Sequence, residues 1–399
     1  MAQISVINED KLWTRSYLSL LLVNVLLCFG FYMLPPTLPA YVKQIGGSNF
    51  QASLVIGMFS SMSLVSRVIS GSIVDAKGEK VIMIIGIVIV AICSIAYMWL
   101  PVNGILFFRF LQGAGWGMAT AAIATAVYKI VPDKRRGEGS GYYALTVIVS
   151  LSLTPIVAIL IMNHFNFSYV LIVSALLTAA GVFMLVTGLP ELSPNPTTLH
   201  GEKRAITLKN IFEKGALLPS GLCFILSIPL CGIMAYLVLF GQELQMENVW
   251  IYFIGYTGMI LLTRPFIGRL LDRKGHVVII LPGSILMIVG LILLSLTHSA
   301  TMLVISSLFY GLGYGAVQPS LQTWAVNRCP EDRKGAANGL FLSSIDMGYM
   351  VGSVLLGYTA GRGSYSAMYG YSTIFMVAFL VIYVVSLAKS RELGKNPVK

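Results

Sequence analysis

Residues 71–78 read GSIVDAKG, and residues 268–275 read GRLLDRKG. These two stretches are related by a shift of 197 positions, and a shift of 198 lays PDKRRG (132–137) over PEDRKG (330–335). Apolar helices can resemble one another by chance, but that does not explain polar loops that recur in the same order. The sequence therefore predicts two related halves with a common internal arrangement.

Long apolar stretches flank these loops. Of 399 residues, 56% are hydrophobic and 11% are charged, against about 25% charged in an ordinary soluble domain. A helix needs about 20 residues to cross the hydrocarbon layer of a membrane. We predict an all-α integral membrane protein of twelve transmembrane helices in two pseudo-symmetric six-helix bundles. The predicted spans are 17–40, 51–73, 80–100, 104–128, 140–163, 168–190, 215–240, 250–271, 277–297, 300–325, 336–360 and 366–388.

The positive charges are distributed unevenly among the predicted loops. The formal net charge is +11, and all Lys and Arg residues except Lys43, Arg109 and Arg362 are assigned to alternate loops or the termini. Basic loops mark the cytoplasmic side of a membrane protein. We expect a multi-pass protein of the cell membrane, of bacterial origin, with both termini cytoplasmic. The one-sided charge needs no nucleic-acid partner.

The repeat also defines a domain organisation. We expect an N-terminal six-helix half at 1–190, a cytoplasmic linker at 191–214 and a C-terminal half at 215–399. Because the halves have the same topology, an axis along the membrane normal should relate them, with a solute site where they meet. Rocking between the halves would then expose that site to each side in turn.

The repeated turns resemble the signature of the major facilitator superfamily, and the resemblance covers essentially the whole chain. In that family, these residues are thought to latch the outward-facing state. The alternative is that the turns only orient helices. Ala76 departs from the family pattern, which usually has arginine there, so a first latch could use Arg67 to pair with Asp75. The latch residues implied by the resemblance are Gly71, Asp75, Gly78, Gly268, Asp272, Arg273 and Gly275.

The fourth predicted span carries LFFRFLQGAGWG at 106–117, which resembles a family motif linked to proton transfer. An arginine that faces hydrocarbon costs about 2.5–3.5 kcal/mol, so we expect Arg109 to face a cavity or a partner. The alternative is that Arg109 extends towards the membrane surface, because it lies near the start of the span.

Helical spacing places polar and aromatic residues on matching faces of the fourth and tenth spans. Such faces suit partly apolar ligands, although the same residues could simply pack between helices. The first span adds a polar position where many drug exporters carry an acid. The candidate cavity residues are Asn24, Gln112, Trp116, Tyr310, Tyr314 and Gln318.

Asp346 is the one acidic residue clearly inside a predicted span. A carboxyl group in an apolar environment takes up a proton more readily, which could couple proton movement to transport. Alternatively, Asp346 binds a cationic solute or a neighbouring arginine, or is a satisfied polar residue near a helix end. Asp346 and Arg109 are therefore the candidates for proton coupling.

We predict a secondary active transporter that exports small, partly apolar compounds in exchange for protons, similar to the twelve-span drug and proton antiporters. The fifth span supports antiport only in part, because SLSLTPIVA at 150–158 keeps a proline but lacks the glycines usual there. Transport of one sugar or other metabolite is the alternative, and a membrane enzyme or receptor is a remote one. We expect a monomer in the lipid bilayer, with a small-molecule substrate and protons as partners, no catalytic residues, no cofactor and no metal.

Overall fold

Almost all of the chain that the structure describes is helical. The computed structural model describes residues 11–132, 135–188, 213–246, 248–330 and 333–392. The helices of the first half are α1 (Arg15–Tyr32), α2 (Leu34–Gln44), α3 (Asn49–Lys77), α4 (Glu79–Ala96), α5 (Val102–Ile130), α6 (Arg136–His164) and α7 (Phe167–Gly188). Those of the second half are α8 (Leu217–Glu243), α9 (Trp250–Lys274), α10 (Val277–Ser295), α11 (Ala300–Asn327), α12 (Lys334–Arg362) and α13 (Tyr365–Glu392). The predicted linker at 191–214 lies outside the described residues, except for Glu213 and Lys214.

The first predicted span lies within one apolar segment, Arg15–Gln44, that is long enough to cross a membrane, and its helical hydrogen bonding is interrupted at Met33. α1 ends at Tyr32 and α2 begins at Leu34, with Met33 between them. Pro35 and Pro36 follow at once. Neither proline can donate the backbone hydrogen bond that would continue α1, which explains the break.

The two halves pack in the same pattern. In the first half α5 packs on α3 and α4, α7 on α1 and α4, and α6 on α1. In the second half α11 packs on α9 and α10, α13 on α8 and α10, and α12 on α8. Each contact has its counterpart in the other half, as expected for a duplicated six-helix unit. The halves meet through α3 with α12, α6 with α9, and α2 with α8.

The outer surface is apolar. Large side chains such as Phe183, Phe266 and Ile374 are more than 60% exposed, which is typical of a surface that contacts lipid. Within the described ranges, nine segments are long and apolar enough to cross a membrane. The helices α3, α5 and α9 are not among them, but they are of similar length and lie at the centre of the packing pattern.

The assignment of two arginines to the basic loops was wrong. Arg67 and Arg264 lie inside α3 and α9, about two to three turns before the helices end, and positions 67 and 264 also fall within the predicted spans 51–73 and 250–271. The shift of 197 relates the two residues. Both arginines therefore belong to the helical bundle and not to its loops.

One end of the bundle carries the basic turns and loops, and we call it the basic end. There, Lys129 at the end of α5 pairs with Glu79 at the start of α4, and Arg333 pairs with Glu213 at 3.0 Å. At the opposite end, Gln51 at the start of α3 hydrogen-bonds Asn103 at the start of α5.

The halves pack closely towards the opposite end. A Cβ atom added at Gly361 on α12 would lie 3.7 Å from the Cβ of Asn49 on α3, and one added at Gly357 would collide with Ser53. Thr257 on α9 donates a hydrogen bond to the Ser152 carbonyl on α6. The opposite end is therefore closed.

The packing is looser towards the basic end. A Cβ atom added at Gly141 on α6, Gly268 on α9 or Gly339 on α12 would meet nothing within 4 Å. These glycines lie in the basic halves of three helices that contribute to the interface between the bundle halves. Close contacts between the halves are therefore described at the opposite end, while these three positions at the basic end have free space beside them.

Only some of the signature glycines form the predicted turns. Gly78 and Gly275 end α3 and α9 with φ of 82° and 73°, a conformation that glycine adopts without strain. By contrast, Gly71 and Gly268 lie within those helices and do not form the turns. Arg273 is exposed in the last turn of α9. The surroundings of Gly71 and the side chains of Asp75 and Asp272 lie outside the described residues.

Candidate functional site

A charged contact joins the two halves near the middle of the bundle. Asp346 on α12 is 8% exposed, and its Oδ2 lies 3.3 Å from Nη2 of Arg67 on α3. Ser63, one turn before Arg67, donates a hydrogen bond to the same oxygen at 3.2 Å. The Oδ1 atom receives no hydrogen bond from the described residues. We call Asp346, Arg67 and Ser63 the interhalf bridge.

Glycines on α5 bring α3 into position for this contact. A Cβ atom at Gly117 would lie 2.7 Å from the Ser63 carbonyl and 3.1 Å from the Arg67 nitrogen, and one at Gly113 would collide with the Phe59 carbonyl. Small residues allow such close helix packing. The glycine face of α5 thus fixes the α3 turn that carries Ser63 and Arg67.

An aromatic cluster lies beside the bridge in the first half. The Trp116 ring is centred 4.1 Å from Phe31 and 5.6 Å from Tyr32, and Phe31 stacks on Phe59 at 4.6 Å. We call Phe31, Phe59 and Trp116 the apolar wall. Phe59 lies one turn before Ser63 on α3, so the wall adjoins the bridge.

Asn24 and Gln112 are fully buried. Asn24 donates to Thr146 on α6 at 2.7 Å. Gln112 accepts from Arg109 at 2.6 Å and from Tyr97 at 2.9 Å, and it donates to Ser94 and the Val90 carbonyl. In this conformation both amides are engaged inside the first half.

Arg109 is also buried, at 1% exposure, and does not extend to the membrane surface. Its Nε donates to the Val55 carbonyl on α3, and its guanidinium lies over the rings of Phe31 and Phe59 at 5.3 and 4.8 Å. The alternative of extension to the surface is therefore wrong for this conformation. Arg109 packs on Phe31 and Phe59 of the apolar wall through cation–π contacts, and its hydrogen bonds hold the guanidinium in that position.

The second half has a tyrosine cluster at the equivalent place. Tyr256 on α9 lies 5.8 Å from Tyr314 and 6.2 Å from Tyr310 on α11, measured between ring centres. Arg264 lies two turns after Tyr256 on α9. The neighbouring Thr263 approaches α11 beside Tyr314, since a Cβ atom added at Gly315 would lie 2.5 Å from the Thr263 hydroxyl oxygen. Gln318 is half-buried one turn beyond Tyr314. The predicted stripe on α11 therefore forms one wall with α9.

The sequence interpretation missed three residues of this site: Ser63, Arg67 and Arg264. A signal was available, because Arg67 and Arg264 coincide under the same shift that aligns the two turns. Two matched arginines inside helices are unusual enough to mark a site. The described residues contain no group of three His, Cys, Asp or Glu residues that could hold a metal ion.

Comparison with known proteins agrees with this architecture. The profile of the Major Facilitator Superfamily matches residues 20–343 and, in an overlapping match, 248–399. A solved structure of the nucleoside transporter NupG superposes with a TM-score of 0.74 at 15% identity, over 92% of this chain and 99% of that one. The protein is thus a multi-pass membrane transporter and not an enzyme. It belongs to the major facilitator superfamily.

Two proteins are similar to this chain along most of its length. It is 26% identical to the multidrug resistance protein MdtG of Yersinia enterocolitica, over 97% of this chain and 95% of the relative. It is 21% identical to the staphylopine export protein of Staphylococcus aureus, over 88% and 89%. The similarity therefore spans both halves.

Proposed function

We propose that this transporter exports small, partly apolar compounds in exchange for protons, and that Asp346 carries the proton. The observation that carries the proposal is the interhalf bridge, in which a buried carboxylate on α12 pairs with an arginine on α3. The names of the MdtG and staphylopine relatives support export.

The geometry of the bridge suits reversible protonation. Arg67 contacts Asp346 through a single hydrogen bond, and the Arg67 Nε is buried without a hydrogen-bond partner. Two-pronged arginine–carboxylate pairs are stronger than single contacts of this kind. Protonation of Asp346 removes its charge and weakens the tie between the halves. Solute binding and proton binding would then favour different arrangements of the halves.

The free energy available from protons is sufficient for concentrative export. A proton that crosses a membrane supplies about 2.3 kcal/mol at 100 mV and about 1.4 kcal/mol for each pH unit. Together these values correspond to more than a hundredfold gradient of solute.

We infer alternating access through rocking of the two halves. Close packing at the opposite end and open space beside glycines at the basic end support this inference. Residues 1–190 and 215–399 would move as units joined by the 191–214 linker, in a single chain. The apolar wall and tyrosine cluster, with Asn24 and Gln318 near them, would line the solute path.

The distribution of charge supports a location in the bacterial cell membrane, with the basic end and both termini in the cytoplasm. In this orientation the described conformation is open inwards. The turns at Gly78 and Gly275 would then lie on the cytoplasmic face, and we propose that Asp75, Asp272 and Arg273 act there as latches in the outward-open state.

The test is proton-driven flux through purified protein in liposomes. Apolar dyes that are cationic, neutral or anionic are added outside the liposomes. Their uptake into the liposomes is followed with and without an imposed pH gradient. We expect gradient-dependent movement of at least one dye in wild type and loss of that dependence in Asp346→Asn. Asp346→Glu, which keeps the carboxyl group, should retain part of it. Flux that is equal in all three proteins and unchanged when the gradient is collapsed would contradict proton coupling.

A further inference from the structure

The two matched arginines have different surroundings. Arg67 pairs with Asp346 across the interface, but the α6 position that the repeat places opposite Arg264 is Ile148. The Arg264 Nε is buried with no hydrogen-bond partner, and no ion pair to its guanidinium exists among the described residues. The second half therefore keeps an uncompensated positive charge where the first half is neutralised.

The tyrosine cluster beside this arginine contains unused hydrogen-bond donors. The hydroxyl groups of Tyr256 and Tyr310 are buried and have no partner. A buried hydrogen-bond donor without a partner is unfavourable. Since tyrosine hydroxyls and guanidinium both donate, the group that satisfies them together is an acceptor, and the charge of Arg264 favours an anion.

The matching positions of the first half do not have this chemistry. The repeat aligns Tyr256 with Phe59 and Tyr314 with Trp116. Two rings that carry a hydroxyl group in the second half therefore correspond to two rings without one in the first half. Tyr349 on α12 lies within electrostatic range of both Tyr32 beside the apolar wall and Tyr314. The site between the halves is thus apolar on one side and rich in donors on the other.

We propose that Arg264, with the hydroxyl groups of Tyr256 and Tyr314, binds the carboxylate of an amphipathic organic acid whose apolar body packs against Phe31, Phe59 and Trp116. This proposal rests on the proposed transport function and names its substrate class. An aryl carboxylate fits both sides of the site, whereas a purely apolar compound leaves Arg264 and the tyrosine hydroxyl groups unsatisfied.

Binding can be tested without transport. Purified protein in nanodiscs of zwitterionic lipid is titrated with 1-naphthaleneacetate or with 1-naphthaleneacetamide, which has the same ring and no charge. Indole-3-acetate and indole-3-acetamide form a second pair. Ligand-induced change in melting temperature gives the affinity of each compound. We expect wild type to bind at least one acid about tenfold or more tightly than its amide.

Variants on α9 locate the effect. Arg264→Gln should lose the preference for the acid while its affinity for the amide stays unchanged, and Arg264→Lys should retain part of the preference. Arg269→Gln removes the same charge from an exposed position on the same helix, and it should behave as wild type. Size-exclusion profiles and melting temperatures without ligand check that each variant is folded.

The outcomes separate this inference from the proposed function. Acid-selective binding that needs Arg264 but is accompanied by no proton-driven flux would support the site and contradict the transport mechanism. Equal affinity for acid and amide in both pairs would overturn the site, as would equal loss of selectivity in Arg264→Gln and Arg269→Gln. Repeating the titration with anionic lipid tests whether a lipid headgroup is the ligand, since the lipid would then compete with the acid.

Discussion

Arg67 pairs with a different residue from the one that the sequence suggested. The sequence suggests Asp75, eight positions later on the same helix, as the partner of Arg67. That spacing is about 12 Å along a helix axis, whereas the facing helix α12 brings Asp346 within 3.3 Å of Arg67. The unusual acid in an apolar span could be identified from sequence. Its partner could not, because that contact depends on how the two halves pack.

A double-mutant cycle measures this pair. Arg67→Gln leaves Asp346 without its cation, and Asp346→Asn leaves Arg67 without its anion, so each should lower the melting temperature in detergent. The double variant leaves neither charge unpaired and should lose less than the sum of the two. A coupling of about 0.5–3 kcal/mol is expected for residues in contact. Strict additivity would show that the contact contributes nothing to stability.

Arg109 and Gln112 form a second polar group that the sequence could place only on a helix face. Gln112 accepts from Arg109 and Tyr97 with one oxygen and donates to two acceptors. The composition of the α5 motif could be read from sequence, but its neighbours on α3 and α4 could not.

Substitution of Gln112 should therefore cost more than substitution of a single partner. Gln112→Leu leaves Arg109 and Tyr97 without their acceptor, and we expect a lower melting temperature and reduced expression. Tyr97→Phe removes one hydrogen bond and should cost about 1 kcal/mol. If Tyr97→Phe is as harmful as Gln112→Leu in thermal unfolding, the buried group is not organised around Gln112.

Matching glycines allow the same close contacts between helices in both halves, so the sequence repeat predicts a repeat of the helix packing. Gly86 on α4 faces Gly115 on α5, and Gly283 on α10 faces Gly313 on α11, with the same close approach of backbones in each half. Sequence predicted the number and type of the elements well, because apolar length and repeated turns are local signals. It missed the break at Met33 and the final turns of α3 and α9, where proline and polar residues override hydropathy.

Close packing at Gly115 can be tested against an open glycine. A Cβ atom at Gly115 would lie 2.7 Å from the Gly86 carbonyl oxygen and 2.9 Å from the Ile89 Cβ. Gly115→Val should therefore destabilise the first half by about 1–3 kcal/mol. Gly141→Ala, on a helix face with open space, should be neutral or slightly stabilising. Melting curves of the two variants that coincide would contradict the described α4–α5 packing.

The whole molecule is an approximately symmetric scaffold that carries an asymmetric site. Both halves keep a matched arginine and an aromatic pair, but an acid stands opposite only the first arginine, and hydroxyl groups occupy only the second aromatic pair. We attribute the shared fold to the capacity for alternating access, and we attribute proton coupling and solute recognition to these differences. The sequence revealed the symmetry, while the three-dimensional contacts were needed to show where it fails.

Alternating access can be tested most directly by locking the closed end. The Asn49 Cβ and a Cβ added at Gly361 would be 3.7 Å apart, within the range of about 3.5–4.5 Å that a disulfide needs. The double variant Asn49→Cys and Gly361→Cys joins α3 to α12, and each single variant under the same oxidant is its control. The five native cysteines are buried.

We expect the oxidised double variant to form the disulfide and to lose proton-driven flux in liposomes, and the flux to return when the disulfide is reduced. The single variants should transport at the wild-type rate under both conditions. Full flux through protein that is completely cross-linked would contradict the account, because transport would then proceed without separation of the two halves.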